Sequence, residues 1–148
     1  MIRIVCVGNL KEKYWSEAAN EYLKRISKYS KIEIIELKES TLSPFPLALK
    51  EEEKEIVRHL KGFVIKLAIE GAMLDSETFA TKIETIYSQG NSDITFLIGS
   101  SHGLSSTIPF HFALSFSKMT FPHQLSRIIL LEQIYRAYCI LNHTKYHK

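Results

Sequence analysis

The sequence predicts an α/β protein built on a mostly parallel sheet. Short apolar runs rich in β-formers alternate with longer amphipathic stretches along the 148 residues, a pattern typical of a parallel sheet covered by helices on both faces. The run Ile94–Ile98 is nearly all apolar, as expected for a buried central strand. No repeat, low-complexity segment or linker divides the chain, so we expect one domain spanning residues 1–148.

The first half of the chain predicts two strands and two helices. The strands are Met1–Val7 and Ile32–Leu37, and the helices are Tyr14–Ile26 and Leu47–Leu60. In the first helix Tyr14, Ala18, Tyr22 and Ile26 fall on one stripe. A loop at Ser43–Pro46 separates the second strand from the second helix, because its two prolines are expected to continue neither element.

The second half predicts three strands and three helical segments. The strands are Phe63–Ile69, Ile94–Ile98 and Leu114–Phe116; the helices run from Asp75 through Tyr87, over a short patch after Leu104, and from Pro122 to about Leu141. Asp75 supplies an N-cap oxygen, and Pro122 suits a first helical turn. The whole chain is thus predicted to hold five strands and about five helices.

Composition sets only loose bounds on function. A net charge of +3 allows an anionic partner without requiring one. The two cysteines, Cys6 and Cys139, lie far apart and fit neither a disulfide framework nor a thiolate zinc site. No run is long enough for a signal-peptide core or a membrane span, so we expect a cytoplasmic protein without a membrane partner.

Three loops are candidates for a ligand site. In open α/β sheets ligands bind beyond the carboxyl ends of the strands, and this rule selects Ile69–Leu74, Gly99–Leu104 and Ser117–Phe121. Because all three follow the C-terminal strands, they could line a single pocket. Glycine at position 99 would let a ligand approach the backbone, although its spacing alone favours an ordinary strand-to-helix turn.

The C-terminal end concentrates positive charge. Leu114–Lys148 carries five basic residues against one acidic residue, Glu132. The chain ends in Tyr146, His147 and Lys148, residue types that suit nucleic-acid contact or proton transfer better than core packing. His143 and His147 have a helical metal-ligand spacing, but no carboxylate or cysteine lies near them in sequence, so no metal site is predicted.

The final helix is apolar on more than one side, which requires a second covering surface. That surface is either the rest of its own domain or a second copy of the chain, and the sequence leaves both open. Glu132 and Arg136 are spaced for an i, i+4 ion pair within this helix.

Several long motifs resemble a known family. They are V-G-N-L-K-E-K-Y-W at residues 7–15, L-S-F-S-K-M-T-F-P-H-Q at 114–124, L-L-E-Q-I-Y-R-A-Y at 130–138, and the terminal Y-H-K. These segments resemble the bacterial methyltransferases that act on N3 of a pseudouridine in 23S ribosomal RNA, small single-domain members of the SPOUT superfamily. The resemblance runs the full length of the chain.

The resemblance implies a C-terminal trefoil knot, a homodimer, and S-adenosylmethionine as methyl donor. It also implies a substrate, 23S ribosomal RNA in the assembled ribosome. The residues matching the family's donor site are Leu67, Gly99, Phe116, Ser117, Lys118, Met119, Thr120 and Phe121. The chain departs from the family at two positions: Ala68 replaces a usual acidic residue and Ser100 a usual second glycine.

The implied catalytic residues are His147, Arg136, Tyr146 and Lys148. The donor is already activated, so the protein must mainly align the reactants and allow the imide to lose its N3 proton. Positive charge from Arg136, Lys148 or protonated His147 would favour the deprotonated imide, whereas a neutral His147 could accept the proton itself.

Two other classes of protein remain open at this point. A non-catalytic ribosome-binding factor would keep the basic tail but need no donor pocket. A flavodoxin-like nucleotide binder would use a phosphate loop after the first strand, where Gly8–Lys11 is a poor match.

Overall fold

Five parallel strands form one sheet in the computed structural model, which describes residues 1–148. The strands are β1 (Ile2–Val7), β2 (Ile32–Leu37), β3 (Phe63–Met73), β4 (Ile94–Ile98) and β5 (Phe112–Ser115). The helices are α1 (Lys13–Ile26), α2 (Phe45–Val57), α3 (Ser76–Ser88) and α4 (His123–Leu141). This confirms the α/β class, and every strand pair is parallel.

The strand order is β2-β1-β4-β3-β5. A flavodoxin-like sheet has the order 2-1-3-4-5, so the flavodoxin-like alternative is wrong. The order places β4, β3 and β5 side by side, and their carboxyl ends therefore meet at one edge of the sheet. The trefoil knot that the resemblance implies stays a prediction.

The alternation of side chains along β1 divides the core into two layers. Ile2, Ile4 and Cys6 point to the face covered by α1, α3 and α4, where the larger buried cluster lies. Val5 and Val7 point to the opposite face and pack with Ile56 of α2. Both faces of a central strand are therefore buried, which explains why β1 and β4 read as nearly continuous apolar runs.

Several boundaries and the number of helices differ from the sequence predictions. For example, α2 ends at Val57 rather than Leu60, and Pro122 is the N-cap of α4 instead of lying in its first turn. The patch after Leu104 forms turns rather than a fifth helix. α2 begins at Phe45 rather than Leu47, because Pro46 lies in the first turn, where a missing N–H costs nothing. β3 continues to Met73 rather than stopping at Ile69, and β5 covers Phe112–Ser115 rather than Leu114–Phe116.

The apolar width of α4 is accounted for within the protein itself. The helix packs between α1 and α3, and Leu130, Leu131 and Ile134 are fully buried there. Of the two covering surfaces left open by the sequence, its own domain covers this part of the helix. None of the four helices has the length and apolarity of a membrane-spanning segment.

The buried side chain of Arg127 fastens the start of α4 to the first two strands. The side chain is only 2% exposed; its guanidinium donates to the Gly8 carbonyl oxygen at 3.0 Å and forms an ion pair with Glu36 near the end of β2. Gly8 has φ +113°, and a side chain there would meet the imidazole of His123 at 2.9 Å. The segment after β1 is thus packed against α4 and is not an open phosphate-binding loop.

Candidate active site

A cleft of about 900 Å³ opens beside the middle of β3, where β4 and β5 end. We call it the strand-end cleft. Its walls come from Lys66–Glu70 of β3, Ile98–Leu104 after β4, the segment that follows β5, and Pro122, His123 and Ser126 at the start of α4. All three regions selected from the sequence thus contribute to one cavity, whose size is typical of small-molecule sites. The first of them, Ile69–Leu74, is mostly strand rather than loop and contributes only Ile69 and Glu70.

The β3 wall of the cleft is shaped by an irregularity in the strand. Leu67 and Ala72 both align with Leu114 of β5, so residues 68–71 bulge out of the ladder. Gly71 makes this possible, because a Cβ there would lie 2.7 Å from the carbonyl group of Ala113. Leu67 therefore lies within β3, at the point where the bulge begins, rather than at the end of the strand.

The Gly99 loop, residues 99–104, forms the β4 wall. The N–H of Gly103 donates to the Ser100 carbonyl oxygen at 2.8 Å, and Gly103 has φ +84°. The loop thereby folds back on itself, and a Cβ on Gly99 would lie 2.4 Å from the Gly103 carbonyl oxygen. Glycine at position 99 is thus required by the packing of the loop, a structural reason that the sequence did not reveal. A Gly99→Val substitution would distort the loop itself.

The turn after β5 forms the third wall and is held by serine hydroxyls. Ser115 Oγ donates to the Ser117 carbonyl oxygen at 2.9 Å, and Ser117 Oγ accepts from the Met119 N–H at 3.0 Å. Met119 is 73% exposed, although its side chain is large and apolar. The turn therefore has a fixed shape and presents an uncovered apolar side chain at the mouth of the cleft.

Seven of the eight residues predicted for donor binding line the strand-end cleft. They are Leu67, Gly99, Phe116, Ser117, Met119, Thr120 and Phe121. Lys118 is exposed and does not belong to the lining. Ala68 and Ser100, the two departures from the family pattern, also line the cleft. The contact of these residues with a donor stays a prediction.

The residues predicted to be catalytic lie elsewhere. His147 contacts Arg136, with 3.1 Å between Nδ1 and Nη1, and its Nε2 lies 3.3 Å from Glu77 Oε1. The Tyr146 hydroxyl donates to Glu132 Oε1 at 3.2 Å, and the Arg136 guanidinium lies 4.8 Å from the centre of the Tyr146 ring. We call this group the tail cluster. None of these residues lines the strand-end cleft, and Lys148 is exposed.

The protonation states within the tail cluster follow from its contacts. A guanidinium only donates hydrogen bonds, so in this contact His147 accepts at Nδ1, and a neutral ring then carries its proton on Nε2, facing Glu77. Burial, followed by the Glu132 carboxylate, raises the pKa of Tyr146 to about 12. The hydrogen bonds that Arg136 donates to the Glu132 carboxylate raise the pKa of Arg136 further above its already high ordinary value. At neutral pH Tyr146 is thus a phenol and Arg136 a cation, and Nδ1 of His147 faces that cation.

The distance between the two sites can be read along α4. Ser126 lines the strand-end cleft and Arg136 lies ten residues further along the helix, which corresponds to about 15 Å at 1.5 Å per residue. The predicted site residues therefore fall into two separate groups in one copy of the chain.

The lining of the cleft includes ionisable residues that the sequence did not single out as site residues. Lys66, Glu70 and His123 all line it, together with His102, whose ring stacks on Phe45 at 5.1 Å. His123 stands within the resembling motif F-P-H-Q, which was a usable signal. Glu70 lies two residues beyond Ala68 and is the cleft's only carboxylate. No three His, Cys, Asp or Glu side chains lie close enough together to hold a metal ion.

The class of protein follows from the α/β sheet and from the strand-end cleft at its edge. The cleft is lined in part by residues of the motif at 114–124 that resembles the SPOUT superfamily. Residues 1–147 match the profile of the family described as "Predicted SPOUT methyltransferase". The chain belongs to the SPOUT methyltransferase family.

Two relatives are similar over their whole lengths. A protein of Methanococcus maripaludis, named "Putative ribosomal RNA large subunit methyltransferase H", is 52% identical over 157 residues, and the match covers 99% of each chain. The "Ribosomal RNA large subunit methyltransferase H" of Caldicellulosiruptor saccharolyticus is 44% identical over 155 residues, with all of both chains covered. Because the first of these organisms is an archaeon, the restriction to bacteria suggested by the resemblance is not confirmed.

Proposed function

We propose that this chain transfers a methyl group from S-adenosylmethionine to N3 of a pseudouridine in 23S ribosomal RNA. It would act as a cytoplasmic, knotted homodimer on the assembled ribosome. The observation that carries the proposal is the strand-end cleft, because seven of the eight residues that match the family's donor site line this one cavity. The chain's membership of the SPOUT methyltransferase family supports the same activity. The names of both relatives specify large-subunit ribosomal RNA, which supports the choice of substrate.

The chemistry of the cleft fits S-adenosylmethionine. The donor combines a flat adenine, a ribose and a charged amino-acid end. Apolar walls from Leu67, Phe116 and Phe121 suit the ring, whereas hydroxyls and the charged groups of Lys66 and Glu70 offer polar partners. When bound, S-adenosylmethionine supplies a methyl group already activated on sulfonium. No acidic residue stands at position 68, so Glu70 is the carboxylate available to the donor.

The protein would contribute alignment and a means of removing the N3 proton. Tyr146 is a poor base at neutral pH because its pKa is raised to about 12. His147 has its Nδ1 lone pair directed at Arg136, so it could accept a proton only after leaving that guanidinium. Arg136 and Lys148 would instead favour the deprotonated imide by their charge.

The reach of the tail supports a homodimer. Leu141 ends α4, fifteen residues beyond Ser126, so the cleft lies about 22 Å back along the helix. Residues 142–147 span at most about 20–22 Å when fully extended. The tail of one subunit could barely touch its own cleft, whereas the tail of a neighbouring subunit is free of this constraint. Ile69, Met73 and Met119 are about half exposed or more, as expected of apolar side chains that a second copy covers.

The proposal is tested by donor binding and by methyl transfer. Isothermal titration calorimetry with S-adenosylmethionine is expected to show binding, and Thr120→Trp, which fills the cleft, should weaken it at least tenfold. Thr85→Trp is the matched control, because Thr85 is exposed on α3 and lies outside the lining. Ribosomes lacking the modification should then gain one methyl group on a pseudouridine, detected by mass spectrometry of 23S RNA fragments.

Two results would contradict the proposal in different ways. A wild-type chain that binds ribosomes but not S-adenosylmethionine would be the non-catalytic ribosome-binding factor. A chain that binds the donor and methylates a different nucleotide would keep the methyltransferase activity and overturn the pseudouridine assignment.

A further inference from the structure

Hydroxyl–carboxylate hydrogen bonds connect the Gly99 loop to α2 and to the segment that precedes α2. Ser100 Oγ donates to Glu52 Oε1 at 3.0 Å, and Ser101 Oγ donates to Glu39 Oε1 at 3.0 Å. Beyond the loop, Thr107 Oγ1 lies within 2.9 Å of both carboxylate oxygens of Glu53. All three carboxylates belong to α2 or to the segment between β2 and α2. The wall of the strand-end cleft is thus attached to a layer that does not itself line the cleft.

Glu52 differs from the other two carboxylates because it is buried. Only 5% of it is exposed, and no Lys, Arg or His forms an ion pair with it. Its second oxygen accepts from the Ser40 N–H at 2.8 Å. A buried carboxylate is costly unless hydrogen bonds compensate it, and bonds to a charged acceptor are stronger than neutral ones. Glu52 is therefore held by Ser100 on one side and by the Ser40 backbone on the other.

The hydroxyl that Glu52 holds is a particular feature of this chain. Ser100 stands where the family usually has a second glycine, and it is itself 7% exposed. It is also the residue whose carbonyl oxygen closes the turn with Gly103. Fixing Ser100 therefore fixes the turn, whereas its neighbours Ser101 and His102 are exposed and have less to hold them.

We propose that Glu52 is a positioning residue of the donor site. Through Ser100 and Ser40 it holds the Gly99 loop in the shape that forms the β4 wall of the strand-end cleft. This inference rests on the proposed function, since it assumes that the cleft holds S-adenosylmethionine. Glu52 does not line the cleft, so it acts on donor affinity through the loop rather than by contact.

The test compares three variants in donor binding. Glu52→Ala removes both acceptors and should raise the Kd for S-adenosylmethionine at least tenfold. Glu52→Gln should stay within about threefold of wild type, because its amide oxygen can accept from Ser40 and its NH₂ can donate to Ser100 Oγ. Glu51→Ala is the matched control: Glu51 is the exposed neighbour on the same helix and should leave binding unchanged.

Two further readouts separate positioning from a general loss of stability. In steady-state methylation of ribosomes, Glu52→Ala should raise the KM for the donor, with kcat at saturating donor and the KM for ribosomes near wild type. Hydrogen exchange of the free protein should become faster at the amides of residues 100–104, with β1 and β4 unchanged. If Glu52→Ala does not fold, Ser100→Ala is measured instead and should weaken donor binding threefold or more together with faster exchange at residues 101–104. Because Ser100 also lines the cleft, weaker binding without faster exchange would indicate a lost contact and overturn the inference.

The outcomes are distinguishable. Wild-type binding of S-adenosylmethionine together with equal binding by folded Glu52→Ala, or by Ser100→Ala where Glu52→Ala does not fold, would overturn this inference alone. Equal weakening by Glu52→Ala and Glu51→Ala would overturn it as well, because the effect would then follow from the charge of α2. A wild-type chain without affinity for the donor would overturn the proposed function, and this inference with it.

Discussion

Arg136 Nη1 lies 3.1 Å from Nδ1 of His147, so the tail of the chain is folded back onto the helix that precedes it. The contact uses the lone pair that an imidazole would need in order to act as a base. To act as a base through Nδ1, His147 would have to leave Arg136.

Removal of residues 146–148 should abolish most methyl transfer while leaving the fold in place. The three residues are half-buried or exposed and contribute nothing to the buried clusters. We expect donor binding near wild type and a rate of ribosome methylation at least about 100-fold lower, the usual scale for losing a positioned proton-transfer group. A truncated chain that methylates ribosomes at the wild-type rate would rule out a catalytic role for the tail.

His147→Ala distinguishes the two roles open to the imidazole. If His147 accepts the N3 proton, the single substitution should reproduce much of the loss seen on truncation. If Arg136 and Lys148 act by charge, the loss should be small, and Lys148→Gln should have the larger effect. The methylation rates of the two variants on the same ribosomes, each compared with wild type, provide the check.

Two isoleucines of α4 should respond differently to a buried charge. Ile134 is fully buried between helices of its own chain, so Ile134→Glu should prevent folding at a cost of several kcal/mol. Ile128 is only partly buried, so Ile128→Glu should keep its circular dichroism and form monomers if α4 contributes to a dimer interface. Light scattering that finds the wild-type chain monomeric at micromolar concentration would contradict the homodimer.

Substitution of Arg127 should destabilise the fold more than substitution of an exposed arginine. Arg127→Met removes the donors to Glu36 and to the Gly8 carbonyl oxygen, and we expect a loss of about 1–3 kcal/mol in the free energy of unfolding. The expected loss is moderate because Glu36 is 43% exposed and water can hydrate its carboxylate when Arg127 is absent. Arg58→Met, at a pair with Glu55 that lies on the surface, should change it by less than about 0.5 kcal/mol. Urea unfolding of the two variants tests the ranking, and equal losses would contradict it.

Cys6 should be unreactive in the folded protein. Burial raises the pKa of its thiol to about 12, although the nearby Arg127 opposes the shift. A thiol reagent at pH 8 should therefore modify Cys6 only after denaturation. The pKa of Cys6 in the folded protein exceeds the ordinary value of 9.0. The contribution of its neutral thiol to the free energy of unfolding is therefore fully present below pH 9 and is lost as the pH rises towards 12. Cys6→Ala should reduce this alkaline loss of stability, and rapid labelling of native Cys6 would contradict the assignment.

The sequence predicted the elements of the fold better than their arrangement. The strands β1 and β4 were recognisable because both faces of each are buried and the apolar runs are continuous. The order that places β4 between β1 and β3 depends on long-range pairing, such as that of Ile2 with Ile94, which no local pattern specifies. The start of α2 was missed because Pro46 was interpreted as a helix breaker, whereas proline is well accommodated in a first turn.

The site was predictable only where a local signal existed. The rule for strand ends selected two walls of the cleft, the Gly99 loop and the turn after β5, but only Ile69 and Glu70 of the β3 wall, because β3 continues past Ile69. The resemblance supplied the individual residues. Glu52 could not be recognised, because it stands within the run Glu51–Glu53 and only the packing of α2 decides which of the three is buried. The distance between the tail cluster and the cleft was equally hidden, since it depends on how the tail folds back along α4.

The strand order also governs when the chain can fold during synthesis. The central strand β1 pairs with β2 early, but its other neighbour, β4, lies some ninety residues further along the chain. Contacts of such long sequence separation slow folding, because a large loop must close before they form. Until Ile98 has been synthesised, one edge of β1 is unpaired and can bind other nascent strands. Ile2 and Ile4 also stay exposed until the helices that bury them have been synthesised. A growing polypeptide of this kind is expected to depend on chaperones more than its small size suggests.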